Sequence, residues 1–529
     1  MAQTDVTWWQ RGVIYQIYPR SYQDSDGDGI GDLTGIRRRI DHVAWLGVDA
    51  IWLSPIYASP FEDGGYDVTD YTAVHPMFGT IDDFDALLTA AHDGGVRVIL
   101  DLVPNHTSHR HPWFTASRGS RDDPRRDWYI WRDPAPDGGP PTNWRSTAVA
   151  EAGGAWNFDE QTGQYYLATF SPAQPDLNWA NPAVRGAMAD VLRFWLDRGV
   201  DGFRVDMVSF LGTDPDFGDE VTVPGDLVPW TTGARHHFNR PETVPYVREL
   251  REVVDGYDDR VLVGEMVYGA GVDVLVDFAD NTGIDLPTNF GLITEPFTAD
   301  AVGAHVDAYD HAALEAGVWP NYCLANHDMP RPTRLGTQGA RVAMLLLLTL
   351  RGTPFVYYGD EIGMPNVEVP PDRADDPWPG SLNGLTRDST RTPMRWDPGP
   401  NAGFCAPDVQ PWLPIGDDHQ RVNVETQRDD VGSMLHLTRR LLAVRRSTAA
   451  LTVGSYERLP DMPRDCMAFI RGGPEGRVLV VCNLGHGQRQ VTHAAGDVAS
   501  VLVHTGAVEL AHDGSVRLGP QSGAVLRLG

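Results

Sequence analysis

The chain has 529 residues, 42% hydrophobic and 22% charged, which suits two or three folded domains and excludes disordered and fibrous classes. Its formal net charge of −29 repels phosphate backbones, so nucleic acid is a poor partner. All 43 basic residues are arginine, and the absence of lysine excludes a pyridoxal-phosphate Schiff base and a Walker-type phosphate loop.

The opening stretch, MAQTDVTWWQRG, has neither the basic flank nor the apolar core of a signal peptide. The longest apolar run, Val342 to Leu350, is too short to span a bilayer. A cytoplasmic location without a membrane partner is the expectation. Cys323, Cys405, Cys466 and Cys482 are scattered and form no C-x-x-C pair, which favours free buried thiols over a zinc site or disulfide framework.

From residue 13 to about 360, short β-rich runs alternate with amphipathic stretches. The runs are VIYQIYP (13–19), DAIWLSP (49–55), VRVILDLV (96–103), DGFRVDMV (201–208), RVLVGEMV (260–267), NYCLANHD (321–328) and TPFVYYGD (353–360). A weaker strand near 283–290 is inferred from position and makes eight. Between them, Pro182 to Arg198 carries Val184, Met188, Leu192, Trp195 and Leu196 near helical spacing, with Asn181 as N-cap before a first-turn proline. Eight strand–helix units with near-continuous apolar strands predict an α/β fold, a closed (β/α)₈ TIM barrel. No G-x-G-x-x-G follows the first strand, which argues against a dinucleotide fold.

Residues 105–173 break this rhythm with many Trp, Pro, Gly, Arg and Asp, and read as a subdomain inserted after the third strand. A second irregular stretch, about 364–415, follows the eighth. Both leave from C-terminal strand ends, where barrel enzymes build their sites. The barrel is thus expected over 1–104 and 174–445. Residues 446–529, with VLVVCNL (478–484), ASVLVHT (499–505) and AVLRLG (524–529), predict an antiparallel C-terminal β domain.

Polar residues cluster at the strand ends. Arg204 and Asp206 lie two apart and face the same way. The arginine is expected to lower the pKa of Asp206 and keep it ionised, as a nucleophile requires. Glu265 follows an apolar run, where partial burial holds a carboxyl protonated for general-acid work. Asp101 and His106 flank the third strand end, and Asn326, His327 and Asp328 the seventh. Two carboxylates about 5–5.5 Å apart suit double displacement at a sugar. A single strand-end Asp is more often a cap or ion-pair partner; the ordered set is what points to chemistry.

DLVPNH (101–106), GFRVD (202–206), GE (264–265) and NHD (326–328) resemble the four ordered signature regions of the α-amylase superfamily of glycoside hydrolases. GDLTGI (31–36), QPDLNW (174–179) and GTPFVYYGDEIG (352–363) extend the resemblance over nearly the full chain. QPDLNW, GYDVTDY (65–71) and TRDSTRTPMRWD (386–397) before NAGF (401–404) are similar to the α-glucosidase and oligo-1,6-glucosidase branch. The resemblance implies Asp206 as nucleophile, Glu265 as acid/base and Asp328 as the third, transition-state-stabilising carboxylate. It implies Tyr66 stacking on a terminal glucose. Asp67 and Arg387 grip the far hydroxyl and enforce exo action, while His106, Arg204 and His327 bind the remaining hydroxyls. Phe170, His237 and Phe238 are expected near the aglycone side, with packing or loop anchoring as the alternative for each.

DSDGDGIGD (24–32) sets Asp24, Asp26 and Asp28 at alternate positions before Gly29, a pattern for a hard cation such as Ca²⁺ or Mg²⁺. Gly35 stands where an EF-hand has its bidentate Glu, so the loop is not a full EF-hand. The resemblance implies a structural ion on Asp24, Asp26, Asp28, Asp32 and the Ile30 carbonyl; a solvated acidic turn is the bland alternative. No organic cofactor is expected, and the state is monomer or homodimer.

Met207 follows Asp206, where the branch commonly has Val or Thr and sorts α-1,4 from α-1,6 linkages. GEMVY (264–268) with DLPTNFGL (285–292) is closer to maltase-type enzymes and favours α-1,4. The expected function is a retaining α-glucosidase acting on a small carbohydrate. The alternatives are a transglucosylase or sucrose isomerase using the same intermediate, and a non-catalytic barrel that lost its carboxylates.

Overall fold

The computed structural model describes residues 6–146, 153–220, 236, 238–268, 270–376 and 386–529. Eight parallel strands form the central sheet: β1 (Ile14–Ile17), β2 (Ala50–Leu53), β3 (Arg97–Leu102), β4 (Gly202–Val205), β5 (Val261–Gly264), β6 (Leu286–Pro287), β7 (Asn321–Cys323) and β8 (Thr353–Tyr357). Their order is β6-β5-β4-β3-β2-β1-β8-β7, a nearly closed barrel, as the alternating pattern predicts.

Alternation divides each strand between two cores. Ile14, Ala50, Trp52, Ile99, Val261, Val263, Cys323 and Phe355 point inward and pack on one another. Tyr15, Ile51, Val98, Phe203, Val205 and Leu262 point outward and pack in the larger core shared with the helices. The helix Pro182–Leu196 buries Val184, Met188, Leu192 and Trp195 in that layer. The Asn181 side chain accepts from the Ala183 N–H at 2.9 Å, a cap that contributes about 1 kcal/mol. Gly202 opens β4 because a Cβ there would lie 2.3 Å from the Val261 carbonyl oxygen.

No ladder joins β6 to β7. Pro287 has no N–H to offer, and β6 is only two residues long. The Asn321 amide takes over: it donates to the Pro287 carbonyl and accepts the Asn289 N–H at 3.1 Å. The weak strand inferred near 283–290 is therefore real but short.

After β3 the chain makes the helix Pro112–Gly119 and a three-stranded antiparallel sheet of Trp131–Arg132, Gln164–Leu167 and Trp156–Asp159. Ile130, Trp144, Ala155, Trp156 and Leu167 form their own cluster within this excursion. Isolated bridges His106–Asp176 and Tyr129–Leu177 tie its base to the barrel. A helix, Met434–Ser447, precedes the C-terminal antiparallel sheet, which starts at Ser455 and runs in the order Ser455–Arg458, Cys466–Gly473, Gly476–Asn483, Ser522–Leu528, Val498–His504. All four cysteines are buried and unpaired. Among the described residues no helix is long and apolar enough to cross a membrane.

Asn321 is fully buried, so Asn321→Leu strands the Asn289 N–H and leaves the Pro287 carbonyl with the Tyr309 hydroxyl at 3.3 Å. The expected loss is about 2–5 kcal/mol, read as a lower guanidinium midpoint at constant m. An unchanged midpoint would mean that the seam does not depend on this amide.

Candidate active site

The parallel register sets Arg204 level with Asp101 on β3 and Val263 on β5. Asp206 and Glu265 each lie just past their strand and share the inward face. The Arg204 guanidinium then meets three carboxylates. Nη1 bonds to Asp101 Oδ1 at 2.7 Å and to Asp206 Oδ1 at 2.6 Å; Nη2 lies 2.6 Å from Glu265 Oε1. All four side chains are buried.

Asp206 and Glu265 are thus gathered on the two amino groups of a single guanidinium. Burial pushes both groups up; Arg204 opposes the rise, while Glu265 and Asp101 add to it at Asp206 and Asp328 adds to it at Glu265. The expected lowering of Asp206 by Arg204 is thus corrected: burial outweighs the arginine, and the Asp206 carboxyl is raised rather than lowered. Asp101 is likewise raised, to about 6, by burial.

Met207 adopts a left-handed backbone (φ 40°, ψ 44°), and its N–H donates to Glu265 Oε2 at 3.1 Å. A β-branched residue would tolerate this φ less well than unbranched Met. The position after Asp206 therefore also orients Glu265.

Asp328 behaves oppositely. Burial works against its charge, yet His327, Arg387, Arg391 and Arg204 hold it well below the usual carboxylate range. Its Oδ1 receives Arg391 at 2.7 Å and Arg387 at 3.2 Å, and His327 Nε2 lies 3.2 Å from Oδ2. His327 also contacts Gln16 at 2.8 Å and the Tyr66 hydroxyl at 2.7 Å. Burial, then the arginines, drives its pKa down to about 3, so the ring is neutral. Tyr66 stacks on it with centroids 5.4 Å apart and planes 8° from parallel.

Asp67 is not where the sequence reading set it. Its carboxylate faces its own loop, accepting from Ser59 Oγ at 2.9 Å, Glu62 N at 2.9 Å and Asp63 N at 3.1 Å. Burial lifts it to about 6. The carboxylate that meets Arg387 is Asp63, at 2.7 Å. Asp376 holds the same guanidinium from behind at 2.8 Å. Asp63 also accepts from Gln174 Nε2 at 3.0 Å, and Gln174 contacts His106 at 3.1 Å. His106 touches the Tyr66 carbonyl at 3.1 Å and is lowered to about 4 by burial.

Phe170 lies against His106, with ring centroids 5.3 Å apart, and against Phe210 at 5.4 Å; Phe238 packs on Phe210 at 5.1 Å. His237 lies outside the described residues. The residues that sequence reasoning missed are Asp63, Gln174, Asp376 and Arg391. Arg391 had a signal, since it repeats Arg387 four positions on within TRDSTRTPMRWD.

The acidic loop lies away from these groups. Carboxylate oxygens of Asp24, Asp26 and Asp28 come within 4.8 Å of one another, and among the described residues no arginine pairs with them. Burial first, then the like charges of Asp26, Asp24 and Asp32, push Asp28 up. Ile30 gives its N–H to Asp28 at 2.8 Å. Asp32 stands apart from the three, as the N-cap of Leu33–Arg38, accepting Gly35 N and Ser25 N at 2.7 Å each. Gly29 has φ +88°, and a Cβ there would lie 2.2 Å from the Gln410 carbonyl oxygen. The loop also pairs Asp24 N with Phe404 O at 3.0 Å and Gly29 O with Trp412 N at 3.0 Å. It thereby braces the segment that follows Arg387 and Arg391.

A barrel with ionisable groups converging at the C-terminal strand ends is the plan of a glycoside hydrolase, and that is the class of this enzyme. The chain belongs to the α-amylase family: the model of the "Alpha amylase, catalytic domain" matches residues 16–454. It is 39% identical over 510 residues to a probable alpha-glucosidase of Rhizobium meliloti, covering 92% of this chain and 90% of that one. An oligo-1,6-glucosidase of Halalkalibacterium halodurans is 37% identical over 515 residues, with 90% of each chain covered. Among solved structures, the alpha-glucosyl transfer enzyme XgtA superposes with a TM-score of 0.91 at 36% identity, covering 99% of this chain and 100% of that one.

The correction at Asp67 is testable by separating stability from binding. Asp67→Ala leaves two backbone N–H groups of its loop unpaired and is expected to cost about 2–3 kcal/mol in guanidinium denaturation. Asp63→Ala is expected to keep stability within about 1 kcal/mol and to raise KM for a sugar substrate roughly tenfold. The reverse pattern would restore Asp67 to the pocket.

Proposed function

We propose that the enzyme is a retaining, exo-acting α-glucosidase that hydrolyses terminal α-D-glucosyl bonds of short oligosaccharides, α-1,4 in preference to α-1,6. The carrying observation is that Asp206 and Glu265 are both held on the one Arg204 guanidinium, each at 2.6 Å. Such a pair suits the spacing of about 5–5.5 Å in retaining enzymes better than the roughly 6.5–9.5 Å of inverting ones, which admits a water.

In this reading, Glu265 carries the proton and Asp206 is ionised when the sugar is bound. Asp206 attacks the anomeric carbon while Glu265 protonates the departing glycosidic oxygen. Glu265 then takes a proton from water, whose oxygen displaces Asp206 and restores the starting configuration. Asp328, kept ionised by its arginines, stabilises the positive charge that grows on the ring. Tyr66 packs on the glucose, and His106, His327 and Arg204 bind its hydroxyls. Arg387 with Asp63 closes the far end, which supports exo action. Phe170 borders the aglycone side. Transglucosylation by the same intermediate is the second reading, favoured by the likeness to a glucosyl-transfer enzyme. The four free cysteines support a reducing, cytoplasmic setting.

Asp206→Asn and Glu265→Gln are each expected to lower kcat by about 10³-fold or more, on the order of 4 kcal/mol of transition-state stabilisation. Turnover of maltose should exceed that of isomaltose, and proton NMR of 4-nitrophenyl α-glucoside hydrolysis, whose leaving group is not a sugar, should show α-glucose first. Initial β-glucose from that substrate would rule the mechanism out.

We further propose that Asp24, Asp26 and Asp28 hold a structural Ca²⁺ or Mg²⁺, with Asp32 and the Ile30 carbonyl at the loop's far end. Crowded, unpaired carboxylates in a loop turned by Gly29 support an oxygen-liganded hard cation. Chelation should lower Tm by about 5 °C or more and Ca²⁺ should restore it, by ligand linkage to the folded state. An identical Tm with EDTA and with millimolar Ca²⁺ would leave a solvated acidic turn.

A further inference from the structure

Two cavities meet at the seam between β6 and β7. The inner one lies within the barrel, bounded by Trp52, Phe355 and Cys323, with Arg204 and Glu265 also in its wall. It leaves about 20 Å³ to the centres of water molecules, enough for one water. The outer one, about 100 Å³, lies between the loop after β5, at Val267 and Ala270, and the segment Gly291–Thr294 after β6. Thr288 and Phe290 line both, so these two side chains form a shared wall.

The seam is also where backbone pairing stops. Asn289, between the two wall residues, is 1% exposed. Its Oδ1 accepts the Gly291 N–H at 2.8 Å and meets His305 Nε2 at 3.0 Å, but its Nδ2 has no hydrogen-bond partner among the described residues. A buried amide N–H left over between two residues that line both cavities calls for water.

We infer that this seam delivers the hydrolytic water to Glu265 by a route separate from the pocket mouth, with Thr288 and Phe290 as positioning residues that meter it. The inference rests on the double displacement proposed above. Once the glucose is bonded to Asp206, two acceptors compete. A water proton passes to Glu265, the water oxygen bonds to the anomeric carbon, and the bond to Asp206 breaks with its electron pair returning to the carboxylate. A sugar hydroxyl entering by the mouth does the same and gives transfer. A seam that feeds water sets the ratio of the two without touching the first step.

The test uses 4-nitrophenyl α-glucoside at saturating concentration, reading free glucose against released 4-nitrophenol. Thr288→Val removes a hydroxyl at nearly constant shape, and Ala270→Leu fills the outer cavity; each should lower the glucose-to-nitrophenol ratio by about threefold, with kcat/KM for nitrophenol release within about twofold of the parent. Thr288→Ser enlarges the wall gap and should move the ratio the other way, which a general loss of packing would not do. An unchanged ratio in the folded variants overturns the inference, as does a crystal structure with no ordered water in either cavity. Loss of activity in Asp206→Asn together with α-glucose as first product sustains the parent mechanism, so with those in hand an unmoved ratio removes the seam route alone.

Discussion

One guanidinium holds the centre of this molecule. Arg204 reaches Asp101, Asp206 and Glu265 from three neighbouring strands, and every partner is buried. Three carboxylates against one cation leave an excess of negative charge in a poorly solvated space. Isolated buried charge is costly, so burial pushes both Asp206 and Glu265 up against the pull of Arg204. On the proposed mechanism the cation-like sugar of the transition state supplies the missing positive charge. The site is then better matched to that state than to its own empty form, which is what rate acceleration requires.

Asp328 shows the same physics with the opposite result. It has two arginines and a neutral histidine against it, so it stays ionised although it is half-buried. Environment, rather than residue type, separates the roles of the acidic groups. Arg387 couples this pole to the pocket end through Asp63 and is held in place by Asp376. The acidic loop at 24–32 braces the chain beyond it through Phe404 and Trp412.

The barrel was legible because strands repeat one rule: apolar alternation ending in a polar residue, as in GFRVD and VGE. That rule brings Arg204, Asp206 and Glu265 together without knowledge of any loop. β6 was faint because two residues and a proline carry no period to read. Asp67 was misread because DGGYD at 63–67 sets two acids, Asp63 and Asp67, around one tyrosine; only the turn decides which of them faces Arg387. Asp376 and Gln174 act through loops, where side-chain direction has no sequence period. The titration of Asp206 was misjudged for another reason: a neighbouring arginine is visible in sequence, whereas burial is a property of the fold.

The place where the sequence signal is weakest is also where the barrel is least regular. Pro287 removes a ladder hydrogen bond, and Asn321 replaces it with a side chain. A side-chain bridge leaves room that a strand ladder would fill, and the inner cavity at Glu265 lies beside it. A barrel closed by eight complete ladders would pack its interior to the density of the other strands and leave Glu265 facing only the pocket mouth. The imperfect strand therefore gives the interior a small hole next to the one carboxyl that must exchange protons with both a leaving group and a water.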